Sequence, residues 1–246
     1  MRLDLYLIEN QMVKSRSQAT DIIKRGLVLV NDQIITKAGY DVIDDVIKII
    51  EKQRFVGRAG EKLLHAIIDF KLDFNDKIII DVGSSTGGFT DCALQHGAKE
   101  VYAYDVGTKQ MDEMLKKDIR VHLFEETNIL DVELPESNLI MIDVSFTSIK
   151  PILEHIKGYD KEIVALIKPQ FEAGHIKFKK GILKDQKIHK KILLDVLEYA
   201  ELLGFCICDL KKSGLKGKSG NQEYVLYMHR GCNMIDKHKK IEEMLC

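Results

Sequence analysis

Three apolar runs in the sequence end on a charge. Ile78-Ile79-Ile80 stops at Asp81, Leu139-Ile140-Met141-Ile142 at Asp143, and Ile163 to Ile167 at Lys168. A charge in such a place is expensive unless it has a partner. An ammonium at the end of a buried strand needs a counter-charge, and Asp143 is the natural partner for Lys168. Such a pair serves either as a structural ion pair or as proton-transfer machinery, and the pattern alone leaves both open. After Asp81 the chain reads Gly83-Ser84-Ser85-Thr86-Gly87-Gly88. Glycines of this kind allow a sharp turn and let a ligand touch main chain. A further run, Val101 to Tyr104, ends at Asp105. That is roughly twenty residues past the glycines, where a nucleotide-binding fold places the acid that holds a ribose diol.

The elements that must position these groups alternate between period-two and helical patterning. Helices are expected over Gly57 to Phe70, Gln110 to Lys117, Ser148 to His155 and Ile188 to Leu203. Strands are expected at Ile119 to Phe124, Phe205 to Leu210 and Glu223 to Met228, besides the apolar runs above. The alternation predicts an α/β fold with a doubly wound, mostly parallel sheet, in which ligands bind beyond the carboxyl ends of the strands. Pro169 is expected to force the chain out of any helix and leave an open loop over the site. The lysines at 177, 179, 180, 184 and 187 mark a basic loop.

No G-x-G-x-x-G is present; D-V-G-S-S-T-G-G-F-T-D stands in its place. This resembles the first motif of S-adenosylmethionine-dependent methyltransferases, a Rossmann-like class. The resemblance implies S-adenosyl-L-methionine as cofactor. It places Asp81, Gly83, Ser85, Gly87, Gly88 and Phe89 around that cofactor, with Asp105 on its ribose.

The chain has 246 residues, of which 45% are apolar and 30% charged, with a net charge of -1. This is ordinary for a globular protein with room for one large domain and a small one. Any nucleic-acid contact must therefore use local patches. No secretion signal and no membrane-spanning apolar run is read, so the cytoplasm is the expected location. The five cysteines are scattered. Cys206 and Cys208 are expected in a strand with their thiols on opposite faces, which argues against a shared metal. Free thiols are the expectation, and no metal.

Residues 1–52 read as a separate small α+β domain. Ser15 or Ser17 caps a helix that buries Ala19, Ile22 and Ile23, followed by a strand at Leu27 to Val30, a turn at Asn31-Asp32 and a return strand. Another strand is expected at Val46 to Ile50. The succession R-L-D, S-R-x-x-A, I-x-x-G-x-V-x-V-N and K-A-G resembles the S4 RNA-binding domain. That resemblance places Arg2, Lys14, Arg16, Lys24, Arg25 and Lys37 on RNA phosphates, contacts that give affinity and register without base identity. From pattern alone these residues form a solvated face, because Asp4, Glu9, Asp21 and Asp32 are interleaved. Residues 53–57 are the expected linker, 58–230 the second domain, and 231–246 a tail with a loosely held helix.

Five ordered motifs then suggest one family. Arg58 to Leu63 (R-A-G-E-K-L), the glycine-rich motif, Ile142 to Phe146 (I-D-V-S-F), Leu166 to Glu172 (L-I-K-P-Q-F-E) and Gly220 to Tyr224 (G-N-Q-E-Y) together resemble the TlyA, or hemolysin A, family. The family joins an S4 domain to an FtsJ-like RNA 2′-O-methyltransferase. The chain departs from its pattern at Gly57 and at Ala59-Gly60. The resemblance implies a catalytic tetrad of Lys62, Asp143, Lys168 and Glu223, and places Asn128 near the adenine. The implied activity is methylation of ribosomal RNA at the 2′-hydroxyl of a cytidine. A ribose hydroxyl is a weak nucleophile and needs a base, and a lysine can be one only if desolvation or a nearby cation lowers its pKa. Lys168 is the expected base. Lys62 supplies the neighbouring charge, and Asp143 and Glu223 position the two amines. The partners are ribosomal RNA or ribosomal subunits, with no membrane required. A membrane-acting hemolysin and a non-catalytic RNA-binding or ribosome-assembly factor are the competing classes.

Overall fold

The computed structural model describes residues 1–50, 54–174, 181–217 and 219–245. The chain divides into two units, Met1–Arg54 and Phe55–Cys246.

The first unit packs α1 (Leu3–Glu9) and α2 (Arg16–Lys24) on a three-stranded antiparallel sheet of β1 (Val28–Val30), β2 (Gln33–Ile34) and β3 (Ile47–Ile49), with β1 central. Ser15 rather than Ser17 caps α2, its hydroxyl accepting from the Gln18 N–H at 3.2 Å. Asn31 and Asp32 both have positive φ, 49° and 61°. This is the backbone that a tight two-residue hairpin requires, and Asn and Asp tolerate it. Leu3, Leu7, Ala19, Ile22, Ile23 and Val28 form the buried centre.

In the second unit α3 (Ala59–Phe70) precedes β4 (Ile78–Val82), α4 (Gly88–Gln95), β5 (Glu100–Tyr104), α5 (Glu113–Lys116) and β6 (Val121–Phe124). Then come β7 (Leu139–Ile142), α6 (Lys150–His155), β8 (Glu162–Ile167), α7 (Pro169–Glu172), α8 (Gln186–Leu202), β9 (Cys206–Lys212), β10 (Tyr224–His229) and α9 (Lys237–Leu245). The seven strands lie in the order β6-β5-β4-β7-β8-β10-β9, and only β10 runs antiparallel to its neighbours. Successive side chains of a strand alternate between faces. Accordingly, Ile80, Ile140 and Ile142 join one apolar layer and Ile79, Leu139 and Met141 the other. The strand order switches sides at β4, running to β5 and β6 on one side and to β7 and β8 on the other, which puts the carboxyl ends of β4, β5 and β7 around one crevice. Among the described residues no helix is long and apolar enough to cross a membrane.

Several expectations are corrected. Pro169 opens a helical turn instead of ending one; at the first helical position its missing N–H removes no hydrogen bond. The helix expected from Gln110 shrinks to one turn, capped by the Asp112 carboxylate on the Met114 N–H. The terminal helix is docked rather than loose: Ile241 on α9 is fully buried in the main apolar layer. Phe55 is buried against Gly60, so the expected linker residues 55–57 pack with the second unit; residues 51–53 lie outside the described residues. In the basic loop, 177, 179 and 180 also lie outside them, and Lys187 stands in the first turn of α8.

Candidate active site

A cavity of about 530 Å³ opens at the carboxyl ends of β4, β5 and β7. Gly83, Ser85, Asp105, Asn128 and Asp143 line it, as do Gln110 and Thr127. The Asp105 carboxylate accepts from the Ser85 N–H and from the Gly107 N–H, each at 2.7 Å. Each oxygen keeps a lone pair for a further donor. Asn128 caps a short turn by accepting from the Leu130 N–H at 3.2 Å, so its side-chain amide N–H₂ group is the part available to a ligand. Ile129, Leu130, Pro151 and Ile152 make the opposite wall apolar. Gly83 has φ +84°, and a Cβ there would meet the Asp143 carbonyl oxygen at 2.8 Å. The glycine is thus required where β4 and β7 part.

Four residues expected at the cofactor lie behind the wall. Asp81 is fully buried and accepts from the Thr90 hydroxyl at 2.6 Å. Its other oxygen has no partner among the described residues. Burial, with a smaller push from the nearby Asp143, raises this carboxyl to about 7, against the pull of Thr90. Gly87 starts α4 with φ +88°, and a Cβ on it would strike Leu115 and Met111. Gly88 lets α4 approach α3, since a Cβ there would stand 3.0 Å from the Ala59 Cβ and the Gly60 nitrogen. Phe89 is core. In these glycines the sequence carries a packing demand that looks like a ligand motif.

The expected tetrad forms two buried ion pairs. Lys62 on α3 donates to Glu223 at 2.5 Å. Lys168 stands 2.6 Å from the Asp143 carboxylate and donates to the Ser145 hydroxyl at 2.9 Å. Lys62 and Lys168 are only 8% and 6% exposed. Parallel pairing of β7 with β8 sets Asp143 and Lys168 at adjacent strand ends. The antiparallel ladder of β8 and β10, which ends with Ile167 opposite Tyr224, puts Glu223 across from Lys168 one step further. Ser145 was not foreseen, nor was Phe146. Phe146 is 91% exposed, lines the cavity mouth, and has φ 65°. A bulky residue held there is strained, which recurs at functional sites; its ring packs on Phe171, with centroids 5.1 Å apart.

In the first unit Arg2, Lys14, Arg16, Lys24 and Lys37 are exposed, and Arg25 is half-buried near Asp21. Asp4 is not a solvated counter-charge. It is buried, receives both Arg2 (2.9 and 3.0 Å) and Arg16 (3.0 Å), and the Arg2 hydrogen bonds lead in holding its carboxyl down to about 2.

Cys206 and Cys208 share one face of β9, contrary to expectation: residues two apart on a strand point the same way, and the buried Ile207 between them points the other.

A seven-stranded sheet with one reversed strand, a crevice at its switch point and an acid just after β5 defines the methyltransferase fold, here preceded in the chain by a small α+β unit. The FtsJ-like methyltransferase family matches residues 55–230 and the S4 domain residues 1–42. The chain belongs to the TlyA/hemolysin A family of FtsJ-like methyltransferases. It is 40% identical over 240 residues to hemolysin A of Brachyspira hyodysenteriae, covering 92% of this chain and 99% of that one. It is 32% identical to the 16S/23S rRNA (cytidine-2′-O)-methyltransferase TlyA of Mycobacterium tuberculosis, covering 98% and 94%. A solved structure from Streptococcus thermophilus that carries the name hemolysin superposes with a TM-score of 0.79 at 36% identity, covering 100% of this chain and 94% of that one.

Proposed function

We propose that the second unit binds S-adenosyl-L-methionine beside Asp105 and methylates a ribose 2′-hydroxyl of ribosomal RNA, on a cytidine, while the first unit holds the RNA. One observation carries this reading: the Lys168 ammonium stands 2.6 Å from a carboxylate, Asp143, that itself lines the cavity. A proton-handling group is thereby tied to the ligand site instead of being lost in the core.

The residues present fit the cofactor. The cavity is of small-molecule size, Asp105 suits a ribose diol, Asn128 with the apolar wall suits a purine, and Gly83 leaves the backbone bare. Bound there, S-adenosylmethionine supplies an electrophilic methyl group. Lys168 Nζ acts as the base in its neutral amine form: it first gives one ammonium proton to solvent and then takes the proton of the 2′-hydroxyl as the oxygen–methyl bond forms and the sulfonium–methyl bond breaks. Asp143 and Ser145 fix the direction of that amine, and Glu223 holds Lys62 so that a second cation faces the same strand ends. Positioning of this kind accounts for much of the acceleration in bimolecular reactions. Phe146 offers an aromatic face to the unstacked target base, the usual way single-stranded RNA is read. Arg2, Lys14, Arg16, Lys24, Arg25 and Lys37 meet phosphates, with Asp4 orienting two of the arginines. Ribosomal subunits as partners go with a cytoplasmic enzyme.

The test is methyl transfer from labelled S-adenosylmethionine to ribosomal subunits and to bare rRNA, with the modified nucleotide mapped. Label in a cytidine 2′-O-methyl group is expected. Label on a base, or on protein alone, overturns the substrate. Release of dye from liposomes by purified protein, without transfer, would instead favour the membrane-acting class.

A further inference from the structure

At the far edge of the sheet, away from the cavity strands, three cysteines and a histidine converge. Cys208 on β9, His229 at the end of β10 and Cys232 just after it present ligand atoms that all lie within 4.8 Å of one another. Cys206, two residues before Cys208, donates from its thiol to the Cys232 carbonyl at 2.9 Å. The Cys208 thiol in turn lies 3.6 Å from the Cys206 carbonyl oxygen.

Two features of the backbone aim these groups. The β9–β10 ladder pairs Asp209 with Tyr227 and Ile207 with Met228, which leaves Cys208 as an extra residue in a β-bulge. Bulges re-aim side chains and are features of function or edge design. His229 Nδ1 lies 2.8 Å from the Arg230 carbonyl. A carbonyl only accepts, so Nδ1 carries the hydrogen and Nε2 keeps its lone pair. That arrangement, one ring nitrogen bound to a backbone carbonyl and the other bare, is the one found in metal-bound imidazole.

We propose that Cys208, His229 and Cys232, with Cys206 as fourth ligand, form a structural site for Zn²⁺. Three thiols and an imidazole make the closed tetrahedral set that zinc takes in structural sites, with Zn–S of about 2.3 Å and Zn–N of about 2.0 Å. The ligand atoms of Cys208, His229 and Cys232, already within 4.8 Å of one another, need to draw in by only about 1 Å to reach such a tetrahedron, and the Cys206 thiol has to turn from the Cys232 carbonyl to complete it. On binding, the three thiols give up their protons to solvent and sulfur lone pairs fill the coordination sphere, with no change of oxidation state. The ion would clip the turn after β10 onto the edge strand β9. The chain continues from that turn through the Ile235 N–H bound to the Ile207 carbonyl, 3.1 Å, into α9. The site would therefore hold the docked terminal helix in place.

The experiment uses the full reduced chain, loaded with one equivalent of Zn²⁺ or Co²⁺ and then dialysed. The expected result is about one metal ion retained per chain, thiolate-to-cobalt charge-transfer and tetrahedral bands with Co²⁺, and a melting temperature that falls when a chelator strips the metal. Cys208→Ser/Cys232→Ser should lose the charge-transfer bands, and Cys92→Ser should keep them. If the double variant does not fold, protection of the wild-type thiols from alkylation by Zn²⁺ serves as the second readout. No retained metal in reduced wild type, a Cys206–Cys232 or Cys208–Cys232 disulfide as the resting state, or unchanged bands in a folded double variant each overturns the site.

Discussion

Lys168 and Glu223 stand opposite each other one step beyond the ladder of β8 and β10, yet each is paired elsewhere: Lys168 with Asp143 on β7, and Glu223 with Lys62 on α3. Two lysines and two acids thus meet at the ends of three neighbouring strands without forming one closed ion cluster. Among the described residues this divided pairing ties Lys168 to the cavity residue Asp143 and to the Ser145 hydroxyl, so its replacement can affect chemistry and stability in separable ways.

Lys168→Arg should stay folded, because the guanidinium still pairs with Asp143, but should not transfer methyl, since it releases no proton near neutral pH. Lys168→Ala should also be inactive and should lose about 3–5 kcal/mol, having left a buried carboxylate alone. Melting temperature and single-turnover transfer on the same preparations decide this. An active Lys168→Arg enzyme removes Lys168 as base.

Asp105→Ala should weaken S-adenosylmethionine binding by roughly 1.5–3 kcal/mol, the worth of a charged hydrogen-bonded pair. Because the carboxylate also receives the Ser85 and Gly107 N–H groups, part of the loss comes from a loosened loop. Asp105→Asn, which can still accept from one of them, should lose less. Calorimetry showing unchanged affinity in both variants takes Asp105 out of the site.

Asp81 gives a pH prediction. Its carboxyl is raised in the fold from its ordinary 3.8 to about 7 by burial. Below pH 3.8 it is protonated in both states. As pH climbs from there to 7 the unfolded chain ionises and the folded one resists, so stability falls by roughly 1.36 kcal/mol per unit, and the loss is complete above 7. Asp81→Asn keeps an acceptor for Thr90 and should flatten that fall, gaining on wild type up to about pH 7 and holding the difference above it. Parallel melting profiles for the two proteins from pH 4 to 8 would refute it.

Charge reversal at Lys24 and Lys37, both exposed, should weaken RNA binding across sequences and lower the salt slope by roughly 0.7–0.9 per lost phosphate contact. Cofactor affinity should not move. Arg16 is a poorer test, because it also holds the buried Asp4. RNA titrations at several salt concentrations read the slope directly, and an unchanged slope moves the RNA to another face.

Phe146→Ala should cost roughly 1–3 kcal/mol of RNA binding energy, the value of one base stacked on an aromatic ring, and should melt close to wild type, because the ring it removes is exposed. Turnover as a function of RNA concentration checks the first half. A variant with unchanged KM for RNA ends the stacking role.

The charged strand ends of the candidate site were legible because a buried strand is an apolar run, and a charge interrupting it is conspicuous whatever surrounds it. Asp143, Lys168 and Asp105 could be singled out on that ground, and the alternation of patterns gave the parallel sheet. Other residues could not be placed this way. Gly87 and Gly88 read as ligand-touching glycines, but their neighbours, Met111, Leu115 and Ala59, come from other elements, and a one-dimensional pattern cannot tell a close helix crossing from a phosphate or a sulfonium. Asp4 looked like one more surface acid until the fold buried it beneath Arg2 and Arg16. Lys62 became an ion-pair partner only when α3 met Glu223, 161 positions away in the chain. The cysteines show the same division: their spacing already set Cys206 and Cys208 on one face, but only the bulge in β9 and the turn after β10 brought Cys232 and His229 beside them. Sequence determined which residues carry charge, bend the backbone or seek the core. Tertiary structure decided which of them touch, because contact between distant segments depends on sheet order and register, which local patterning does not encode.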